Sequence, residues 1–173
     1  MKWLTIVLVA ALTAGLLVFF VGKMLPEVHT ASSSIRLNQS PDRVWAVVRS
    51  FGEYPSWWTQ VKTVERLPDH TGKEAWRQEL STGPLPMFVV SESPPNRVVT
   101  EIIDEGMPFG GTWTYVVEAD GPGTKITVTE NGKIYNALFR VISRFVMGYH
   151  GTLDNYLTAL GEHFGETVTP EHQ

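Results

Sequence analysis

The sequence predicts an α+β protein in which a seven-stranded antiparallel sheet and a long C-terminal helix follow one helix of membrane-spanning length. Residues 4–22 carry no charged side chain, and residues 61–134 hold six short β runs separated by turn residues. Residues 136–164 repeat apolar side chains at helical spacing. The 173 residues, 43% hydrophobic and 18% charged, suffice for one globular domain and an appendage.

The uncharged segment 4–22 is flanked by Lys2 and Lys23. At about 1.5 Å per residue it reaches roughly 28 Å, close to the thickness of the hydrocarbon layer. A cleaved signal and a buried core helix are the alternatives. Cleavage after Ala14 would place Leu12 where a small residue is required, so an uncleaved anchor is favoured. The short N-terminus favours a single-pass protein whose main domain lies on the extracytoplasmic side.

The domain predicted after this anchor begins with a strand at residues 31–37. Ser40 as N-cap and Pro41 at the first helical position start a short helix that ends at Gly52. Six more strands are predicted at residues 61–67, 74–80, 87–93, 97–104, 112–119 and 124–134. Their connections are too short for crossover helices, so neighbouring strands should be antiparallel.

The last predicted element is one helix over residues 136–164. Its apolar side chains are three or four residues apart and form a single stripe that should be buried: Leu138, Ile142, Phe145, Tyr149, Leu153, Tyr156, Leu160 and Phe164. Gly148 and Gly151 within the stripe favour a bend or a close approach of another segment. The sequence thus divides into an anchor and joint at 1–27, a domain at 28–165 and a polar, frayed tail at 166–173.

Composition argues against several functions. The net charge of −4 disfavours nucleic acid as a partner, and the absence of cysteine excludes thiolate metal sites and disulfides. The five histidines lack metal-ligand spacing, and the sequence contains neither a phosphate-binding glycine loop nor a nucleophile elbow. We therefore expect no metal, no cofactor and no catalytic residue of these classes.

Several motifs make residues 31–165 resemble the SRPBCC superfamily, which groups START-type lipid-transfer domains with polyketide cyclase/dehydrase proteins. These are SPDRVW at 40–45, FGEYPSWW at 51–58, GTWTY at 111–115, TENG at 129–132 and YLTAL at 156–160. The resemblance implies a helix-grip fold, in which the sheet curves around the long helix and leaves a cavity. Because the superfamily contains both carriers and enzymes, the resemblance alone does not choose between them.

Strand alternation predicts which side chains line that cavity. The candidate ligand-binding residues are Trp76, Gln78, Glu101, Trp113, Tyr115, Val117, Tyr149 and His150. A core filled by these aromatic residues is the alternative. Glu101 is either a polar anchor in the cavity or a solvated residue on the outer face, since a slip of one residue exchanges the faces.

A structural ion pair is predicted between Glu130 and Arg140. Glu130 shares strand parity with Ile126 and Val128, so it should point towards the helix that carries Arg140. An unpaired buried carboxylate costs several kcal/mol. A bulge at Asn131 and Gly132 would instead turn Glu130 to solvent.

The sequence favours a membrane-tethered module that binds or transfers a lipid-like, isoprenoid or aromatic molecule. The alternatives are a polyketide cyclase/dehydratase-like enzyme that uses His150, Tyr115 and Glu101, and an accessory domain without a ligand. An enzyme needs at least two convergent titratable groups. The sequence offers no such pair at a shared spacing, which makes catalysis the less favoured function.

Overall fold

A computed structural model describes residues 2–173 as one antiparallel sheet with helices on its inner face and an N-terminal helix beside it. The helices are α1 (Lys2–Met24), α2 (Pro41–Arg49), a 3-10 helix (Phe51–Ser56), α3 (Ala137–Ile142), a π-helical turn (Ser143–Met147) and α4 (Gly151–His163). The strands are β1 (Val28–Leu37), β2 (Val61–His70), β3 (Lys73–Leu80), β4 (Gly83–Ser93), β5 (Arg97–Ile102), β6 (Phe109–Asp120), β7 (Gly123–Ile134) and β8 (Glu171–His172).

The sheet confirms the predicted α+β helix-grip fold and adds one strand to it. Its order is β2-β3-β4-β5-β6-β7-β1-β8, and every neighbouring pair is antiparallel. The eighth strand comes from the tail that the sequence predicts to be frayed. Glu171 and His172 pair with β1, and the backbone N–H of Gln173 donates to the carbonyl of Ser32 at 3.0 Å. Strand-edge hydrogen bonds hold this tail, and its polar composition does not reveal them.

The core lies between the inner face of the sheet and three helices, namely α2, the 3-10 helix and α4. Apolar positions two residues apart on β6 and β7 face inward, where Tyr115 pairs with Val128 and Val117 pairs with Ile126. α4 contributes side chains from one face: Leu153, Tyr156, Leu157 and Leu160. This part of the predicted apolar stripe is buried as expected.

The predicted single helix over 136–164 is broken. The chain leaves the helix at Gly148, where φ is +74°, a value that L-residues with side chains rarely adopt. α3 packs beside α1 instead of under the sheet, and the π-helical turn continues α3, so Leu138 is 52% exposed and Phe145 is 66% exposed. Burial of these residues was therefore a wrong prediction, because the apolar repeat runs through two separate helices with different partners.

α1 contains the predicted membrane segment and has the length and apolar composition to span a bilayer, which a signal sequence near the N-terminus also has. Its side chains are exposed to the surroundings except near its C-terminal end. There Gly22 touches the backbone of Ala137, and a Cβ atom at position 22 would overlap the carbonyl of Ala137. The last turn of α1 is thus packed directly on α3.

A buried guanidinium joins α1 to the domain. The Arg140 side chain is 4% exposed, and its Nη1 donates to the carbonyls of Gly22 and Leu25 at 3.2 and 3.1 Å. Its Nε donates to the carbonyl of Ile134 at 2.9 Å, and its Nη2 lies 2.7 Å from Glu27 Oε1. Carbonyls at a helix C-terminus have no hydrogen-bond donors within the helix, and here Arg140 donates to them.

These contacts correct the predicted Glu130–Arg140 pair. Arg140 binds Glu27 from the joint after α1, whereas Glu130 binds His29 and Trp113. Parity along β7 correctly points Glu130 inward, where it pairs with Trp113. The guanidinium, however, is drawn to the end of α1, because four backbone carbonyls and one carboxylate converge there.

Replacing Arg140 should destabilise the protein strongly. We expect Arg140→Met to lower the free energy of unfolding by about 3 kcal/mol, because it leaves several buried carbonyls without donors. Arg97→Met is the matched control, since Arg97 is exposed, and it should change that free energy by less than about 0.5 kcal/mol. Chemical denaturation of both variants in detergent measures the difference. Equal losses in the two variants would contradict the role of Arg140.

Candidate ligand-binding site

The inner face of the sheet carries most of the predicted site residues. Trp76 and Gln78 on β3 share this face, as do Trp113 and Tyr115 on β6, and Val117 follows Tyr115 two residues later. Trp113 pairs with Thr100 of β5 on one side and with Glu130 of β7 on the other. Alternation along β3 and β6 is therefore as the sequence predicts.

Glu101 lies on the outer face. In β5, Val98 pairs with Tyr115 and Thr100 pairs with Trp113, so the even-numbered residues point inward. Glu101 instead pairs with Thr112 and is half-buried on the opposite side. Of the two positions that the sequence left open for Glu101, the structure shows the one on the outer face, since a shift of one residue in a strand exchanges the two faces.

Aromatic rings fill the deep part of the predicted cavity. Five rings surround Tyr156 of α4 with centroids 5.1 to 6.1 Å from its own, namely those of Trp58, Trp57, Tyr115, Tyr54 and Trp113. Tyr115 and Val117 are fully buried in this packing. They are core residues and do not line an open space.

The hydroxyls of the buried tyrosines form a small polar core within these rings. Tyr54 Oη donates to the carbonyl of Val48 at 2.7 Å and lies 3.3 Å from Tyr156 Oη. Burial raises the pKa of Tyr54, Tyr115 and Tyr156 above the ordinary tyrosine value. These groups therefore remain neutral and serve as hydrogen-bonding groups.

A half-buried apolar surface remains at one end of the inner face. We call it the inner band, and its members are Leu80, Leu85, Ile102 and Trp113. Gln78 pairs with Leu85 and is 2% exposed, and its Nε2 lies 3.7 Å from the sulfur of Met87, a weak acceptor. The band thus combines apolar side chains with one amide that is weakly bonded.

A carboxylate and an imidazole border the inner band. Trp113 Nε1 donates to Glu130 Oε2 at 3.1 Å, and Glu130 Oε1 lies 3.2 Å from His29 Nε2. The His29 ring stacks on Tyr149 with centroids 4.0 Å apart. A Cβ atom at Gly132, opposite His29 on β7, would overlap the imidazole. Glycine at this position therefore makes room for the ring.

Sequence reasoning missed His29. The first strand was predicted from residue 31, so the histidine lay outside it, whereas β1 begins at Val28. The glycine two positions after Glu130 in the TENG motif could have indicated it. Such a glycine on an inward position leaves space for a side chain from a neighbouring strand.

The remaining predicted site residues lie in different parts of the structure. Tyr149 belongs to the cluster of Glu130 and His29, but His150 turns towards the middle of β1, where its Nδ1 lies 3.2 Å from Ser33 Oγ. Ser33 lies four residues after His29 on β1, roughly 13 Å along an extended strand. Trp76 packs against Phe51, with ring centroids 6.3 Å apart, away from the polar cluster.

The inner band lies at the end of the sheet that carries α1. β5 ends there at Ile102, β6 begins there at Phe109, and β1 begins four residues after α1 ends. An exposed apolar surface on α3 and the π-helical turn, which we call the lip, consists of Leu138, Ile142, Phe145, Val146 and Met147. Leu138 and α1 residues Ala14, Gly15, Val18 and Phe19 line a shallow groove of about 460 Å³.

Comparison with known proteins gives the same fold. A family model described as "Polyketide cyclase / dehydrase and lipid transport" matches residues 28–158, which is most of the chain. No curated protein matches the chain. The START superfamily protein from Mycobacterium smegmatis is similar in structure, with a TM-score of 0.59 and 16% identity over 78% of this chain and 96% of that one.

Two similar structures are enzymes by their descriptions. Norcoclaurine synthase from Thalictrum flavum has a TM-score of 0.62 and 11% identity, covering 80% of this chain and 87% of that one. An aromatase/cyclase from Streptomyces has a TM-score of 0.61 and 14% identity, covering 78% and 93%. At these identities the likeness establishes the fold alone, so function must be argued from the site.

Stability should fall in alkaline solution because of the buried tyrosines. Above about pH 10, the ordinary tyrosine pKa, the unfolded chain releases phenolic protons that the folded chain keeps, so the free energy of unfolding decreases as pH rises. Tyr156→Phe should reduce this slope by about 1.4 kcal/mol per pH unit. Denaturation at several pH values, with phenolate absorbance followed in parallel, measures it. Ionisation of all the tyrosines before unfolding would contradict the prediction.

Proposed function

Because the chain belongs to the polyketide cyclase/dehydrase and lipid transport family, we propose that it is a membrane-tethered module that binds or transfers a hydrophobic small molecule at the inner band. The molecule is lipid-like, isoprenoid or aromatic. The position of the inner band, at the end of the sheet next to α1 and the lip, is the observation that carries this proposal. A hydrophobic ligand leaving a bilayer at this point would travel only a short distance through water.

The tether is supported by how α1 meets the domain. α1 is a 23-residue apolar helix, and Leu138 of the lip lies against its residues 14–19, within the segment of membrane-spanning length. If α1 spans the bilayer, the lip lies at the depth of the hydrocarbon or its boundary, where exposed apolar side chains are stable. Arg140 also fixes residues 22–27 to the domain.

The inner band supports a ligand with a large apolar part and a small polar one. Its lining is aliphatic and aromatic, as in most small-molecule sites, and Gln78 and Glu130 are the nearby polar groups. The Glu130 side chain presents its carboxyl oxygens beside an imidazole. A hydroxyl or an amine on the ligand suits this pair better than a phosphate does.

The tether can be tested on the native membrane. The chain should stay in the membrane after alkaline carbonate washing, because 19 consecutive uncharged residues at 4–22 span the hydrocarbon layer. A released form that begins near residue 15 would instead identify α1 as a cleaved signal. A protease-protection assay on the C-terminus shows on which side of the membrane the domain lies, and we expect the result of an extracytoplasmic domain.

Ligand binding can be tested with a diazirine-bearing fatty acid delivered from phosphatidylcholine vesicles to the full chain. Photolabelling should reach the inner band as well as α1 and the lip, and mass spectrometry of the peptides locates it. Ile102→Trp fills the band and should lower labelling there by about tenfold. Glu101→Trp places the same bulk one residue away on the outer face and should leave labelling nearly unchanged.

Two outcomes of this experiment would contradict the proposal. Labelling confined to α1 and the lip, with none in the inner band, would overturn the binding proposal and favour an accessory domain. Labelling that is equally sensitive to Ile102→Trp and Glu101→Trp would place the ligand elsewhere. Thermal unfolding of both variants controls for loss of the fold.

The Glu130–His29 pair favours an enzyme as the second candidate function. A carboxylate and an imidazole 3.2 Å apart beside an apolar surface can act as an acid–base pair, whereas the sequence analysis named His150, Tyr115 and Glu101 as the groups that such an enzyme would use. In that case co-purifying molecules would include a chemically altered product, and Glu130→Gln would retain the unaltered substrate. A carrier would hold the same molecule in both proteins.

A further inference from the structure

A second cluster of ionisable side chains lies against the middle of β1, four residues along the strand from His29. His150 precedes α4, Asp154 lies in its first turn, and His172 comes from β8. One ligand atom from each residue lies within 4.8 Å of the other two. Sequence spacing could not reveal this cluster, because the antiparallel β8–β1 pairing alone brings His172 opposite Ser33.

The donor set suits a borderline-soft divalent cation. Two imidazole nitrogens and a carboxylate oxygen are ligands that Zn²⁺ accepts in three-residue sites, with a further position left for water. His150 and Asp154 are four residues apart and project from one side of the start of α4, a spacing that lets two side chains hold one ion. We propose that His150, Asp154 and His172 bind a zinc ion.

The carboxylate is already oriented for this role. Ser33 Oγ is buried and donates to Asp154 Oδ1 at 2.7 Å, which fixes the carboxylate plane and leaves Oδ2 facing His172 Nε2 at 2.8 Å. Hydrogen-bonded support of this kind is common for carboxylates that bind metals. The ion takes the place of the hydrogen bond between Asp154 and His172: a neutral His172 binds it through Nε2 and carries its single ring proton on Nδ1.

One side chain has to turn for both imidazoles to bind the same ion. The rings of His150 and His172 lie parallel with centroids 3.9 Å apart, so their nitrogen lone pairs do not converge. The His172 side chain is 52% exposed and belongs to a two-residue strand, which gives this ring the room to rotate. Binding therefore ties the C-terminal strand to α4 and to β1.

Zinc titration of the full chain in detergent tests the proposal. The chain carries no oligohistidine tag and is first treated with a chelator. Calorimetry should give one Zn²⁺ per chain with a dissociation constant in the range of about 1 μM or below. His172→Ala and Asp154→Asn should each weaken binding at least about tenfold, and Ser33→Ala about tenfold, while His70→Ala, outside the cluster, should not. Zn²⁺ should also slow carboxypeptidase removal of the last residues.

The overturning results are specific. Failure to bind Zn²⁺, or equal affinity in the wild type and His172→Ala, would overturn the proposal. The cluster would then only hold the C-terminal tail through hydrogen bonds. Protection of the tail that does not depend on Zn²⁺ would also overturn the proposal. Unfolding temperatures measured in chelator identify any variant that has simply lost its fold. Because the test uses neither lipid nor membrane, its failure leaves the proposed binding function intact.

Discussion

The buried guanidinium of Arg140 is the interaction on which the arrangement of the rest of the chain depends. It binds the carbonyls that end α1, the carbonyls that follow β7 and the carboxylate of Glu27. A cation without this set of acceptors would not be stable in a dry environment. The end of α1, the end of β7 and the start of α3 are therefore held together at one point. That point is also the edge of the inner face.

The same constraint explains the broken C-terminal helix. α3 is fixed beside α1 by Arg140 and by the Gly22–Ala137 contact, whereas α4 is fixed over β1 and the aromatic core by Leu153 and Tyr156. α3 and α4 therefore run in different directions, and the chain changes direction at Gly148. α3 packs on α1, and the inner band at this end of the sheet is only half-buried.

Local patterns were sufficient to predict most of the fold. The seven main strands, α2 with Pro41 at its start and the apolar segment that became α1 follow from periodicity and turn residues. The errors arose where contacts between residues far apart in the sequence determine which way a side chain faces. The face of Glu101 depends on register set across β5 and β6, and the ends of the apolar stripe depend on whether Leu138 meets the sheet or α1. Neither is encoded within a short window of sequence.

The candidate sites were less predictable because each joins residues far apart in the chain. His29 and Glu130 are 101 positions apart, and His172 reaches Asp154 through a strand that composition does not predict. Both clusters nevertheless share β1, with His29 near one end and Ser33 four residues further on. They also share the segment after Gly148, since Tyr149 packs on His29 while its neighbour His150 packs on His172. A rotation of this short segment would therefore move one side chain of each cluster together.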